Sequence, residues 1–560
     1  MEFWSLDEIK SASGGRWLAR ADASSSATPL ITGVSIDTRT LTQGQIFIAI
    51  KGEQSDGHEY LDRALAAGAS MLIVHEPLTP ERIAALPRQV PILKVANTGA
   101  ALHRLAAAYR KTLDGTRVIA VAGSNGKTTT TRLIDACLRQ TQRGSASQKS
   151  FNNALGVPLT ILAAKRTDQY LICEVGTNAP GEIAPLTLAI EPDIAVITSI
   201  GREHLEGLGS LRGVIEEEAS IIAGLRPGGC AIITADEPLL KEAARPSAFG
   251  HASSGDDRVI VITFGVSDSA DMRVSSVTMD MKSLTFSIND RHQFNLPLLG
   301  THNAINAACA AAVARRLGLD WPQIQAGFDS VKPAPMRLEP IEIASPQGQP
   351  SVWFLNDAYN ANPESMLAAL STFAQATHVA NSSTSRRRRV IILGDMLELG
   401  PAAPDSHAEI ARWIVTQARS NPARTSLPAT SNMLPFADTI ILVGSHMLRA
   451  HAVLQANATL LAAEIFHIPT LNQGGDTLAA ALLRPGDAVL LKGSRGTGVD
   501  RVLTAWCARS DSVNQPQLAN QPISPNVLVV GTITGTGLRP EPTTHATHSH
   551  PHRATRGPRS

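Results

Sequence analysis

The 560-residue chain is sparing in several respects, and each lack excludes a class of function. Cysteine is scarce. Cys137, Cys173, Cys230, Cys309 and Cys507 lie far apart, and none forms a C-x-x-C pair. That spacing offers neither a zinc knuckle nor a disulfide framework, and it fits a reducing cytosol, so a cytoplasmic protein is expected. Net charge is nearly absent, +1 at neutral pH, which argues against a protein that holds nucleic acid by bulk charge. No unbroken apolar run reaches the ~18 residues of a membrane span. The opening MEFWSLDEIK has no basic flank followed by an apolar stretch, so no secretory signal is expected.

What is present is a 43% apolar fraction, enough for several packed cores. At roughly 150 residues per domain, the length predicts two to four domains. The pattern is α/β and divides into three blocks and a tail: residues 1–114, 115–330, 331–510 and 511–560. In the first, QIFIAI and ASMLIV read as strands around a helix in YLDRALAAG. In the second, RVIAVAGSNGKTTTTRLIDACL runs β-branched strand, glycine turn, helix, and QYLICEVG and DIAVITSI continue a parallel sheet. In the third, VIILGD, TIILVG and AVLLKG alternate with helices, as in a small doubly wound, Rossmann-like sheet. Asn381–Arg389 and Arg419–Pro435 read as solvated insertions, the arginine run 386–389 included. The tail, rich in Pro, Thr and His, is expected to be disordered, with no evolved metal site in HATHSHPH.

The stretch VAGSNGKTTTT carries the chemistry. A common eight-residue phosphate loop would have glycine at position 121, where this chain has Val121. The rest of the loop is intact. Gly123 and Gly126, with Ser124 and Asn125 between them, let backbone N–H groups turn toward phosphate, and the next helix presents its positive end. Lys127 supplies a point charge for the β- and γ-phosphates, Thr128 a hydroxyl for Mg²⁺, and Thr129 continues the turn. Strand before and helix after are the context this motif requires. Glu174, closing the strand QYLIC, and His204, after DIAVITSI, fall on the carboxyl side of the same sheet, where carboxylate and imidazole serve a metal–nucleotide complex.

Taken in order, GSNGKTTT, EVGTN, EHLEG, GTHNAINAACAAA, MRLE, NDAYNANPESM, LGDMLELG and LLKGSRG make the chain resemble the Mur ligases, ATP-dependent amide-bond-forming enzymes of peptidoglycan synthesis. The resemblance spans roughly residues 30 to 505, and the shortened phosphate loop is the family's own form. It implies a UDP-substrate domain, a central P-loop ATP domain and a C-terminal Rossmann-like domain. The stretch NDAYNANPESM resembles the branch that joins D-alanyl-D-alanine to UDP-N-acetylmuramoyl-tripeptide. The γ-phosphate of ATP would activate the tripeptide carboxylate, and the dipeptide amine would attack the acyl phosphate. ATP and Mg²⁺ are therefore the expected cofactors, and a monomer is expected.

By the same resemblance, Glu174 and His204 hold Mg²⁺, Asn303 lies on the adenine side, and Arg337 and Asp357 reach the nucleotide from the third domain. Tyr359, Asn360 and Asn362 are candidates for the dipeptide side. Asn362-Pro363 equally reads as a helix start. In the first block, Ser35, Asp37, Arg39, Lys51, Asp56, Gly57 and His58 are candidate contacts to the UDP-sugar, although Asp37 and Arg39 serve equally to brace a turn. Asn152 and Asn153, in SFNNALGVP, would face the muramoyl-peptide. Alternatives are a ligase adding a diamino acid, a folylpolyglutamate synthase-like ligase, and a non-catalytic nucleotide-binding protein.

One position departs from the family. Many members carry a CO₂-modified lysine as metal ligand on the helix after the histidine motif. Here the aligned residue is Glu218, and no lysine occurs between Lys165 and Lys241. Glu218 keeps a carboxyl-type oxygen but is roughly 3–4 Å shorter in reach. It is expected to serve as a metal ligand that needs no bicarbonate, whereas Glu216 and Glu217 read as a solvated helix face.

Overall fold

The computed structural model describes residues 4–20, 30–52, 55–87, 90–148, 151–202, 205–251, 255–345, 348–380, 387–419, 436–512 and 530–532. His204, most of the arginine-flanked insertion 419–435, residues 381–386 and nearly all of the tail lie outside them.

Three sheets follow one another along the chain. The first has five strands, in the order Arg16–Ala19, Ile92–Lys94, Met71–Val74, Gln45–Ile48, Gly33–Ser35. All run parallel except Arg16–Ala19, which pairs antiparallel with Ile92–Lys94. Met71–Val74 is buried along its whole length, as expected of a strand covered on both faces.

The second sheet has nine strands. Gly144–Ala146, Tyr170–Glu174, Arg117–Ala122, Ile194–Ile197, Cys230–Thr234, Ile260–Gly265 and Met272–Met279 run parallel. Leu284–Ile288 and His292–Leu296 then extend it as antiparallel hairpins. The parallel, helix-linked sheet expected from the sequence is present, and this antiparallel edge adds to it. The signal was present: LTFSI and HQFNL alternate buried with more accessible positions. Between them Asn289 and Asp290 both take positive φ (53° and 54°), the backbone of a tight hairpin turn.

The third sheet has seven strands in the order Glu339–Ile343, Val352–Asp357, Ala488–Lys492, Arg389–Gly394, Thr439–Val443, Glu464–Ile468, Val530–Thr532. The five inner strands are parallel and the two outer ones antiparallel. The last strand comes from the segment expected to lack structure. The arginine run also departs from expectation. Arg389 opens a buried strand, and Arg388 binds the buried Asp487 at 2.8 Å and the carbonyl of Leu482. Arg387 pairs with Glu342 at 3.0 Å. These three arginines brace the sheet rather than face solvent.

The first two sheets share one apolar core, running from Trp4 through Leu105 and Val157 to Val259. Arg110, itself buried, crosses between them and donates to the carbonyls of Ile190 (2.7 Å) and Glu191 (2.8 Å) at a helix end. The third sheet has cores of its own on its two faces. Leu299, Met279 and Met281 of the centre pack with one of these cores. Among the described residues no helix is long and apolar enough to cross a membrane.

Cys137, Cys173, Cys230 and Cys309 are buried, and burial pushes their thiols up, to about 12 for Cys137 and Cys173. Cys507 is partly exposed.

Candidate active site

The β-branched strand Arg117–Ala122 delivers the phosphate loop at its carboxyl end, and the helix Lys127–Leu138 begins at once. Gly126 caps that helix at φ 88°, and a Cβ there would lie 2.5 Å from Asn306 Oδ1. Gly123, at φ 121°, would place a Cβ 2.3 Å from Thr198 Oγ1, so only glycine fits either position. The neighbouring strand end clamps the loop. Ser124 N–H donates to the carbonyl of Ser199 (2.8 Å), Asn125 N–H to Ser199 Oγ (2.9 Å), and Thr198 Oγ1–H to the carbonyl of Asn125 (2.6 Å).

Lys127 Nζ donates to the carbonyls of Gly123 and Ser124, folded over the loop it serves. Thr128 Oγ1 donates to Glu174 Oε2 at 2.9 Å, and Asn152 Nδ2 to Glu174 Oε1 at 3.1 Å. Glu174 is buried at its strand end, and its own N–H is held by Ser147 Oγ at 2.9 Å. Thr128 and Glu174 thus bring hard oxygen donors together, a set that fits Mg²⁺. Asn153 Oδ1 accepts the N–H groups of Leu155 and Gly156 and so starts the following helix.

Glu218 is 1% exposed, and its Oε2 accepts the Gly123 N–H at 2.6 Å. It therefore touches the phosphate loop backbone and does not line the cleft described below. Glu217 departs from the solvated reading. It is buried, and its carboxylate accepts the N–H groups of Gly181, Glu182 and Ile183 at 2.7–2.9 Å, capping the helix Ile183–Ile190. Glu216 is solvated as expected and pairs with Arg212 one turn away.

The third sheet supplies the opposite wall. Asp357 and Lys492 end adjacent strands in direct register, and Lys492 Nζ lies 2.8 Å from Asp357 Oδ2 and 2.6 Å from the carbonyl of Asn360. Asp357 Oδ1 accepts the N–H of Leu338 at 3.0 Å. Arg337 lies over the Tyr359 ring, 4.1 Å from its centre, between Met336 and Leu338, both at positive φ (57° and 47°). Asn362 has two partners at once. Its Oδ1 accepts the Ser365 N–H at a helix start, and its Nδ2 donates to Asn125 Oδ1 of the phosphate loop at 3.1 Å.

Between these walls lies a cleft of about 1190 Å³ lined by residues of all three regions, among them His103, residues 124–129, Asn152, Asn153, Glu174, Asn303, Arg337, Asp357, Tyr359, Asn360 and Asn362. Asn303 is buried, donates to the carbonyl of Leu299 at 2.7 Å, and accepts from Asn306 at 2.9 Å. A second pocket of about 480 Å³, at the carboxyl ends of the third sheet's strands, shares Arg495 with the cleft.

The first-block candidates gather elsewhere, at the carboxyl edge of the first sheet. Asp37 pairs with Arg39 at 2.6 Å, and Ser35 Oγ accepts the Asp37 N–H, so this trio braces its own turn. Lys51 bridges Asp56 (3.4 Å) and Glu76 (2.9 Å). His58 donates from Nδ1 to Asp56 and accepts the His75 N–H at Nε2, 3.1 Å away, so both ring nitrogens are engaged. The His58 N–H bonds hold Asp56 down to about 2. Gly57 packs where a Cβ would sit 2.7 Å from the Ile50 nitrogen.

Sequence reasoning overlooked Asn306, Lys492 and Arg202. Asn306 was legible, one helical turn after Asn303 on the helix His302–Arg316. Lys492, a lone lysine ending an apolar strand, was a fainter signal.

Comparison with known proteins agrees with this geometry. Residues 30–110 match the Mur ligase family catalytic domain, 121–314 the Mur ligase middle domain, and 336–495 the Mur ligase glutamate ligase domain. The chain is 37% identical to the UDP-N-acetylmuramoyl-tripeptide–D-alanyl-D-alanine ligase of Bacillus subtilis over 383 residues, 68% of this chain and 77% of that one. It is 30% identical to the Synechocystis ligase of the same name over 484 residues, 86% and 93% of the two chains. The MurF crystal structure from Acinetobacter baumannii superposes with a TM-score of 0.71 at 26% identity, covering 90% of this chain and 99% of that one. With three successive domain matches and a nucleotide loop facing a third-domain wall, the chain belongs to the Mur ligase family of ATP-dependent ligases.

Proposed function

We propose that this protein joins D-alanyl-D-alanine to UDP-N-acetylmuramoyl-tripeptide through an acyl phosphate, with ATP as phosphoryl donor and Mg²⁺ as metal. The observation that carries it is the single cleft in which the phosphate loop meets Tyr359, Asn360 and Asn362 of the third sheet. The names of the relatives supply the substrate pair.

The residues divide the work as the chemistry requires. The loop N–H groups and the start of the helix Lys127–Leu138 hold the β- and γ-phosphates. Lys127, released from the Gly123 and Ser124 carbonyls, neutralises charge as the tripeptide carboxylate oxygen attacks the γ-phosphorus and ADP leaves. Thr128 and Glu174, with His204 as the third candidate, would hold Mg²⁺, which screens the phosphate charge from the incoming carboxylate. Asn303 and Asn306 shape the nucleotide end of the cleft, and Arg337 and Asp357 close it from the third sheet. The dipeptide amine then attacks the acyl carbon, the tetrahedral adduct loses phosphate, and an amide remains. Tyr359, Asn360 and Asn362 line the dipeptide approach. Asn152 and Asn153 face the peptide, and the carboxyl edge of the first sheet takes the UDP-sugar. Glu218 supports the loop through Gly123 without any modification.

The test is phosphate release from ATP with the UDP-muramoyl-tripeptide, comparing D-alanyl-D-alanine with a free diamino acid, with and without bicarbonate. Release with the dipeptide alone, unaffected by bicarbonate, is the expected result. Release with the diamino acid instead would overturn the substrate assignment. Bicarbonate-dependent release that survives Glu218→Gln would overturn the role given to Glu218.

A further inference from the structure

Arg202 lies outside the set of residues assigned to nucleotide or substrate, yet it ties the central sheet to the third. Its Nε donates to Glu364 Oε1 at 2.7 Å, and its backbone N–H to Glu364 Oε2 at 3.2 Å. Its two terminal nitrogens grip Glu409 as a fork, each at 3.1 Å. Glu364 is in the first turn of the helix Pro363–Ala380, and Glu409 lies on the helix Ala403–Arg419. One guanidinium therefore bridges two helices of the third domain. The hydrogen bonds that it donates to Glu409 and Glu364 stabilise the cation and raise its pKa further.

The other end of this bridge reaches the phosphate loop. Gly201 N–H donates to Ser124 Oγ at 2.8 Å, so the residue before Arg202 is bonded to the loop. Asn362, two residues before Glu364, donates to Asn125 of that loop. An apolar patch at Leu299, Met279 and Met281 and a contact between Leu205–Leu208 and Gly400–Ala402 also join the third domain to the centre, and contacts within a chain of this kind allow domains to move relative to one another.

We propose that Arg202 is a positioning residue, an inter-domain latch that holds the Asn360–Glu364 turn over the phosphate loop. Which acceptor the turn presents rests on the function proposed above, but the latch itself is readable without turnover. The three side chains are 38%, 36% and 40% exposed, so water and salt reach them. A single pair at such exposure holds weakly, whereas a fork on one carboxylate plus a second carboxylate holds better and still releases. Reversible closure of this kind suits a domain that must open to discharge product.

The experiment uses the full-length protein, with wild type, Arg202→Ala, Glu409→Gln and the double variant. Solution X-ray scattering without ligand reads domain separation, and calorimetry reads ATP affinity. Each single variant is expected to give a larger radius of gyration, and wild type in about 0.5 M salt is expected to expand the same way. ATP affinity is expected to fall and KM for ATP to rise by about 5- to 10-fold, with kcat at saturating ATP changed less. The double variant is expected to be no worse than the more affected single one, because both remove the same bond. Unchanged scattering, or losses that multiply in the double variant, would overturn the latch. Should Arg202→Ala melt far below wild type, Arg202→Lys, which keeps the charge without the fork, must show an intermediate expansion or the proposal fails. A wild type that binds ATP but releases no phosphate with the dipeptide would sink the substrate reading and leave the latch decided by scattering alone.

Discussion

Lys492 shows how much a single side chain carries here. It is 2% exposed, and its charge is answered by Asp357 and the carbonyl of Asn360. Removing one member of a buried pair strands the other, at a cost of about 3–5 kcal/mol. Lys492→Met is therefore expected to lower the melting temperature markedly, and adding Asp357→Asn is expected to restore much of it. A melting temperature untouched by Lys492→Met would show that the pair is solvated in solution. At this scale the sequence was legible where chemistry and local context coincide. Gly123, Gly126, Lys127, Thr128 and Glu174 each follow from a strand end and the helix after it. Lys492, Arg202 and Glu217 were not legible, because their partners lie 132, 162 and 34–36 residues away and nothing near them in the chain announces the bond.

At the scale of elements, the helix Leu211–Ala219 carries three successive glutamates with three different tasks. Glu216 faces water, Glu217 caps a neighbouring helix, and Glu218 holds the phosphate loop. The rotation of about 100° per residue along an α-helix separates these directions. Glu217→Ala leaves three N–H groups, the buried one of Ile183 among them, without their acceptor and is expected to destabilise the protein by about 1–3 kcal/mol, measured by urea titration. Glu216→Ala is the control and is expected to leave the midpoint unchanged. Equal midpoints for both variants would refute the capping role. Reading a run of like charge as a solvated face failed here for the same reason that it failed at Arg388. Composition gives the average environment of a run, whereas burial is decided residue by residue by what packs across from it. The parallel strands were legible from their β-branched runs, whereas the antiparallel hairpins beside them are short, half-polar and announced by a brief alternation and by Asn289-Asp290.

For the molecule as a whole, buried histidines set a lower limit on comfortable pH. His407 is fully buried, accepts the Met396 N–H at Nε2 and donates from Nδ1 to the carbonyl of Ala403, an arrangement that needs the neutral ring. Burial lowers its pKa below the ordinary 6.5 despite the pull of Asp395, and burial does the same for His75, His103 and His302. Below that ordinary value the unfolded chain takes up protons that the folded chain refuses, so stability is full above it and declines as pH falls through it. His407 alone contributes a slope of up to about 1.4 kcal/mol per pH unit. Melting temperatures are expected to drop between pH 7.5 and 5.5, and less so in His407→Gln; a flat profile in wild type would contradict this. The three-sheet succession was legible from alternating apolar runs, but the pairing of the first two sheets over one core was not, since that core is assembled from segments more than a hundred residues apart. The burial of four thiols has one more consequence. Thiol-directed electrophiles meet a chain in which four of five thiols are out of reach, so Cys507, on the helix Arg501–Ser512, becomes a natural single point of attachment. A dye placed there rides on the third domain, and the unaltered sequence thereby carries its own handle for watching that domain swing.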